Sequence, residues 1–152
     1  MYDPNGGFVT GGGWIMSPAG AYPADPSLTG RANFGFVSKY QKGATVPTGN
    51  TEFQFQAGSL NFKSSTYQWL VISGAQAQYK GTGTINGGST VYNFILTGVD
   101  GALLGGGSPD KFRIKITTSD GITTVYDNML GAPDSSTPGT TLGGGDITIH
   151  TK

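Results

Sequence analysis

EFQFQAGSLNFK, residues 52–63, reads as two short strands folded back on one another. Phe53, Phe55, Leu60 and Phe62 alternate with Glu52, Gln54, Asn61 and Lys63, the two-residue period of a strand with one face in the core. A turn at Ala57-Gly58 sets Phe55 opposite Leu60, Phe53 opposite Phe62 and Glu52 opposite Lys63. Apolar residues then meet apolar ones, and opposite charges meet on the other face. Ala-Gly is not a favoured primed turn, so this register rests on the side-chain pairing.

The same logic extends along the chain. Asp120-Gly121 is a strong hairpin signal and sets Ile116 opposite Val125 and Phe112 opposite Met129. Phe112, Ile114 and Ile116 then face the core while Arg113 and Lys115 face water. Asn86-Gly87-Gly88 joins GTGTI to TVYNFIL and places Gly81 and Gly83 beneath Phe94 and Tyr92. YQWLVISGAQAQY (67–79) reads as the longest strand, buried on both faces at Trp69–Ile72, with Trp69 in the core. In ANFGFVSKY, Phe34, Phe36 and Tyr40 point one way and Asn33 and Lys39 the other. About ten strands result, near 7–16, 31–41, 51–56, 59–63, 67–79, 81–86, 90–98, 111–118, 122–127 and 142–150. Residues 17–30, 99–110 and 131–141 form long loops. No linker divides the chain, so one domain spans 1–152.

Three glycine triplets interrupt this pattern, at 11–13, 105–107 and 143–145. A phosphate cradle needs Lys-Ser or Lys-Thr and a helix after its glycines. These triplets precede Trp14, Ser108 and Asp146, with no helical periodicity behind them. They are expected to be strand bends, where a bare backbone admits a large ring or another backbone. FVTGGGWI and TLGGGDITI are similar enough to predict that the terminal strands are neighbours, bent in step.

Composition agrees with an all-β domain. Of 152 residues 27 are glycine, only 12% are charged, and 8 Phe, 7 Tyr and 2 Trp supply a core. The expected fold is an antiparallel β-sandwich of jelly-roll type, the alternative a closed or partly open barrel. Lys+Arg and Asp+Glu are 9 each and scattered, which sets nucleic-acid binding aside. No apolar run approaches the ~20 residues of a membrane helix. There is no cysteine, which removes thiol catalysis, and a Ser-His-Asp triad or a multi-His metal site would have to use the lone histidine, His150, two residues from the end.

Two groups of candidate site residues remain. Trp14, Tyr22 and Tyr40 are candidates for ligand binding, because a flat ring beside Asn and Gln suits the apolar face of a sugar. Trp14 and Tyr22 are the ones expected to be exposed. Asp100, Asp110 and Asp127 are candidate ligands for a structural calcium, which takes carboxylate and carbonyl oxygens from flexible loops. The hairpin register places Asp127 on the inner face with Ile114, where a carboxylate needs a partner; the plainer alternative is that it bonds nearby backbone amides. The remaining acids sit mostly beside Gly, Pro or Ser, where Asp makes turns.

YDPNGGFVTGGGWIMSPAGAY, ANFGFVSKYQKG, FQFQAGSLNFKSSTYQWLVISGAQAQYKGTGTING and DKFRIKI…YDN…LGGGDITIH together resemble the post-COAP-type all-β domain. Such domains stand near the C-termini of large secreted or surface proteins of bacteria, beside Ig-like and PKD-like repeats. The resemblance spans nearly the whole chain. It implies an extracellular or cell-surface setting and an accessory role, and it brings no catalytic residues.

The functional expectation is therefore a non-catalytic extracellular module, binding polysaccharide and requiring no cofactor. A structural spacer or self-assembling surface domain, pairing with neighbouring domains through sheet edges, is the alternative. A small glycan-active enzyme using two aspartates ranks third.

Overall fold

The computed structural model describes residues 8–40, 47–73, 75–101, 110–133 and 138–150. Nine strands among them form one antiparallel sheet: β1 (Phe8–Ser17), β2 (Gly30–Tyr40), β3 (Pro47–Phe55), β4 (Leu60–Ser73), β5 (Gln76–Ile85), β6 (Tyr92–Val99), β7 (Lys111–Thr118), β8 (Thr124–Asp127) and β9 (Gly144–His150). Their order is β8-β7-β6-β5-β4-β3-β2-β1-β9. From β1 to β8 sequential strands are neighbours, and β9 returns to pair with β1, so the described strands form one meander with its last strand added at the β1 edge rather than the two packed sheets of a jelly roll. The sheet curls into a half-barrel, in line with the partly open barrel that was the alternative reading.

The opening hairpin forms in the expected register, with Phe55 opposite Leu60, Phe53 opposite Phe62 and Glu52 opposite Lys63. A single 3₁₀ turn, Gln56–Gly58, makes the connection, and Ser59 takes a left-handed conformation to close it. Gly81 and Gly83 lie opposite Phe94 and Tyr92 as expected. The terminal strands do pair: Gly12 faces Asp146, Gly13 faces Gly145 and Trp14 faces Gly144. At Gly145 φ is +89°, and a Cβ there would strike the carbonyl oxygen of Gly12. At Gly143 and Gly144 a Cβ would enter the indole of Trp14. Two of the triplets thus let two backbones and one large ring come together. The third, Gly105–Gly107, lies outside the described residues.

Inside the curl, rings from opposite walls meet. Phe34 of β2 stacks on Phe112 of β7 with centroids 4.1 Å apart, and Phe53 of β3 meets Tyr126 of β8 at 4.7 Å. Ile15, Phe55, Phe62, Tyr79, Phe94 and Ile114 complete a buried interior. Tyr67 and Tyr79 both reach Thr51 Oγ1, at 2.6 Å each, so their hydroxyls are partnered where burial would otherwise be costly.

The two sheet edges approach each other along a seam made largely of side chains. Lys111 and Thr141 form one bridge, Phe112 N–H donates to Thr140 O and Leu142 N–H to Asp110 O. Asn128 accepts from Ile114 N–H and donates to Phe112 O, filling the place of a strand beside β7. The Asp127 N–H of β8 donates to Ala21 O in the β1–β2 loop, and Ser17 Oγ meets the Tyr126 hydroxyl at 2.7 Å.

Three expectations need correction. Residues 67–79 are not one strand: Ser73 pairs with Gln76, so the chain reverses there, and 59–63 runs on into β4 through bulges near Ser65 and Gln68. Trp69–Ile72 is not buried on both faces, for Val71 is exposed and Trp69 half-buried. The Asp120-Gly121 hairpin keeps its register only to Thr117–Thr124. Val125 then bulges, Tyr126 falls opposite Ile116, and Tyr126 rather than Asp127 turns inward. Asp127 shares the opposite face with Arg113, which is 2% exposed rather than solvated. Its guanidinium donates to both oxygens of Asp127, at 3.0 and 2.8 Å, and to the carbonyls of Ala132 and Pro133.

Candidate binding face

On the outer face of β1–β4 the register lines up one residue from each strand. Trp14 lies opposite Asn33, Asn33 opposite Gln54, and Gln54 opposite Asn61. Asn33, Gln54 and Asn61 each stand between two buried neighbours, such as Ala32 and Phe34 around Asn33, and Trp14 precedes buried Ile15, so the four side chains project outward. At the usual 4.7–4.9 Å between strands the row spans about 14 Å. The carboxamides of Asn33, Gln54 and Asn61 have no hydrogen-bond partner among the described residues. An open depression lined by Gln54, Gln56, Ser59 and Asn61 continues the row at its β4 end.

Beside this row runs a second one: Asp146, Gly12, Gly35, Glu52 and Lys63. Its middle is bare. Nothing lies within 4 Å of the position a Gly35 Cβ would take, and at Gly12 the nearest atom is the Phe34 carbonyl oxygen at 3.8 Å. Thr10 and Val37 form the far bank. The result is a shallow trench floored by backbone, walled on one side by Trp14 and the amides. Its charges balance, with Arg31 and Lys63 against Glu52 and Asp146.

Trp14 is half-buried at the end of the trench. Its ring lies against Gly143 and Gly144, and the exposed Arg31 guanidinium sits 4.1 Å from the ring centroid. Such a contact at an exposed site is worth about 0.5–1 kcal/mol. Tyr22 is elsewhere: its ring packs edge-on against Phe55 at 6.0 Å and touches Gly58, at the end of the barrel. Tyr40 closes β2 seven residues beyond Asn33, roughly 23 Å away at the strand rise, and its side chain lies outside the described residues. The three aromatic candidates are therefore not one platform. The amides and glycines that join Trp14 were missed because each looks like an ordinary outward residue; the Gln54–Asn61 pairing, carried one strand further, is the signal that reaches Asn33.

Two of the three aspartates bond across the seam, and the third holds β8 to β7. Asp100 accepts from Ile149 N–H at 2.9 Å, and Asp110 accepts from Ile147 N–H at 2.7 Å and from Gly101 N–H at 2.6 Å. These carboxylates cover free amides along β9, as a neighbouring strand would. Asp127 has both oxygens on Arg113 and also accepts from Met129 N–H. No group of three or more His, Asp or Glu side chains among the described residues converges on a common point. Burial pushes the phenols of Tyr79 and Tyr126 well above their ordinary range. Both are hydrogen-bonded inside the core, away from the trench.

Compared with known proteins, the chain matches no family model, no curated protein and no solved structure.

Proposed function

We propose that this chain is a non-catalytic carbohydrate-binding module of a bacterial secreted or surface protein, holding polysaccharide on the outer face of β1–β4. The observation that carries this reading is the aligned row of Trp14, Asn33, Gln54 and Asn61 beside a bare glycine floor. Unpaired carboxamides offer both donors and acceptors, which is what vicinal sugar hydroxyls require. A charge-balanced surface suits a neutral polymer. Catalysis is poorly served, because Glu52 and Asp146 stand three strand spacings apart, about 14 Å between backbones. Glycosidase carboxylates are only roughly 5–9.5 Å apart. Assembly through sheet edges is disfavoured by the acceptors that already cover Ile147, Ile149 and Asp127 N–H.

The test is retention of the purified chain on a panel of insoluble polysaccharides, with sugar release assayed in the same tubes. Retention without release, lost in the double variant Asn33→Ala/Gln54→Ala, is expected. Release of sugar, or retention that this double variant leaves intact, overturns the reading.

A further inference from the structure

We infer that the polysaccharide is an extended ribbon of equatorially linked pyranoses, a β-1,4-glucan, mannan or xylan, lying across the strands with one sugar per strand. This inference rests on the carbohydrate reading and deepens it. The row of Trp14, Asn33, Gln54 and Asn61 is perpendicular to the strands, so its groups repeat at the strand spacing of roughly 4.8 Å. A pyranose chain linked through equatorial positions is nearly straight and advances by almost the same step per unit. Successive sugars can therefore present a hydroxyl to successive carboxamides without bending. An α-1,4-linked chain coils and leaves the line after one or two units.

The trench supplies the other half of the fit. A flat sugar needs a floor without side chains, and Gly12 and Gly35 provide it directly beside Trp14 and Asn33. Beyond the bare floor Glu52 and Lys63 face each other beside Gln54 and Asn61, and Asp146 stands on the other side of Gly12, so polar groups flank the ribbon over β3 and β4 and at its β9 end. The balance of Arg31 and Lys63 with Glu52 and Asp146 selects a neutral chain over a uronate or a sulfated one. Four aligned side chains set a site of about four sugars.

The experiment is calorimetric titration of the intact chain with cello-, manno- and xylo-oligosaccharides of two to six units, and with malto-oligosaccharides of the same lengths. Affinity for one β-linked series is expected to rise to four units and then level off, with the malto-series at least tenfold weaker. The variant Gly35→Thr separates ligand from fold. Its Cβ meets nothing within 4 Å, and a β-branched residue suits a strand, so melting should hold or rise while the β-linked affinity falls at least tenfold. Equal binding of α-linked chains, or full affinity in Gly35→Thr, overturns the inference and leaves the carbohydrate reading standing. No binding of any glycan, soluble or insoluble, overturns both.

Discussion

The meander and the seam hold the same sheet together by different means. From β1 to β7 each strand is bonded to its neighbours by runs of backbone pairs, from four between β3 and β4 to ten between β1 and β2. Between β7–β8 and β9 one bridge remains, supported by the carboxylates of Asp100 and Asp110 and the carboxamide of Asn128, while the Arg113–Asp127 pair holds β8, the strand at the seam's edge, against β7. A ladder spreads its stability over many modest bonds, about 0.5–1.5 kcal/mol net each. A seam made of side chains concentrates it in a few residues. Single substitutions should therefore be far more damaging in the seam than in the meander.

The largest effect is expected at Asp127. Asp127→Ala leaves the Arg113 guanidinium buried and uncompensated, which typically costs 3–5 kcal/mol. Denaturant unfolding should show this loss, and the paired replacement Arg113→Met/Asp127→Leu should recover much of it, because the unmatched charge is gone. A loss below about 1 kcal/mol in Asp127→Ala would mean that the carbonyls of Ala132 and Pro133 alone suffice to hold the buried guanidinium.

Alkaline pH probes both regions at once. Burial raises Tyr79, in the meander, and Tyr126, at the seam. Above pH ~10 the unfolded chain gives up tyrosine protons that the folded chain retains. The unfolded state then binds fewer protons, so stability falls as pH rises. Each tyrosine contributes about 1.4 kcal/mol per pH unit until its folded pKa is reached. Stability should be insensitive to these groups below pH 9 and drop steeply from pH 10 to 11. A flat profile there would show that one or both phenols ionise freely.

Where the two terminal strands meet, the glycines set a third level. Gly145→Ala forces a side chain into a left-handed conformation and against the Gly12 carbonyl, for an expected loss of about 2–3 kcal/mol. Gly20→Ala also meets a positive φ but open space, so it should cost about 1 kcal/mol. Comparing the two melting temperatures separates backbone strain from collision.

These same residues show what a sequence can reveal. The 52–63 hairpin, the Asn86-Gly87-Gly88 turn and the pairing of the terminal glycine triplets were legible because turn chemistry and alternation are local. The reversal between Ser73 and Gln76 was not, since SGA carries a weak turn signal and the alternation of Ala75, Ala77 and Tyr79 with Gln76 and Gln78 continues the strand pattern past it. Arg113 looked solvated because its cover, Met129–Pro133, comes from a segment with no pattern of its own. The bulge at Val125 exchanged the faces of Tyr126 and Asp127, which no alternation rule anticipates. The outer row exists only across four strands. Trp14 was visible alone, whereas Asn33, Gln54 and Asn61 acquire meaning when register places them in line.

Asp110 should show a smaller, local effect. Asp110→Ala removes acceptors from Ile147 and Gly101 N–H, for about 1–2 kcal/mol. Hydrogen exchange at Ile147 should accelerate while Ile15, inside the β1–β2 ladder, keeps its protection. Equal acceleration at both would mean that seam and meander open as one unit.

The smallest effect belongs to the outer row, and its smallness matters. Asn33→Ala, Gln54→Ala and Asn61→Ala remove side chains that bond nothing within the described residues, so each should change stability by no more than about 0.5 kcal/mol. The seam carboxamide Asn128 offers the contrast, for it bonds Ile114, Phe112 and Thr140 and its loss to Ala should cost about 2–3 kcal/mol. If Gln54→Ala cost as much as Asn128→Ala, the Gln54 amide would already be committed to the fold. It would then have no donor or acceptor to offer a sugar, and the row would be architecture like the seam. Near-zero losses in all three leave polar groups aligned at strand spacing that the fold does not use, which is the condition a ligand-binding surface must meet.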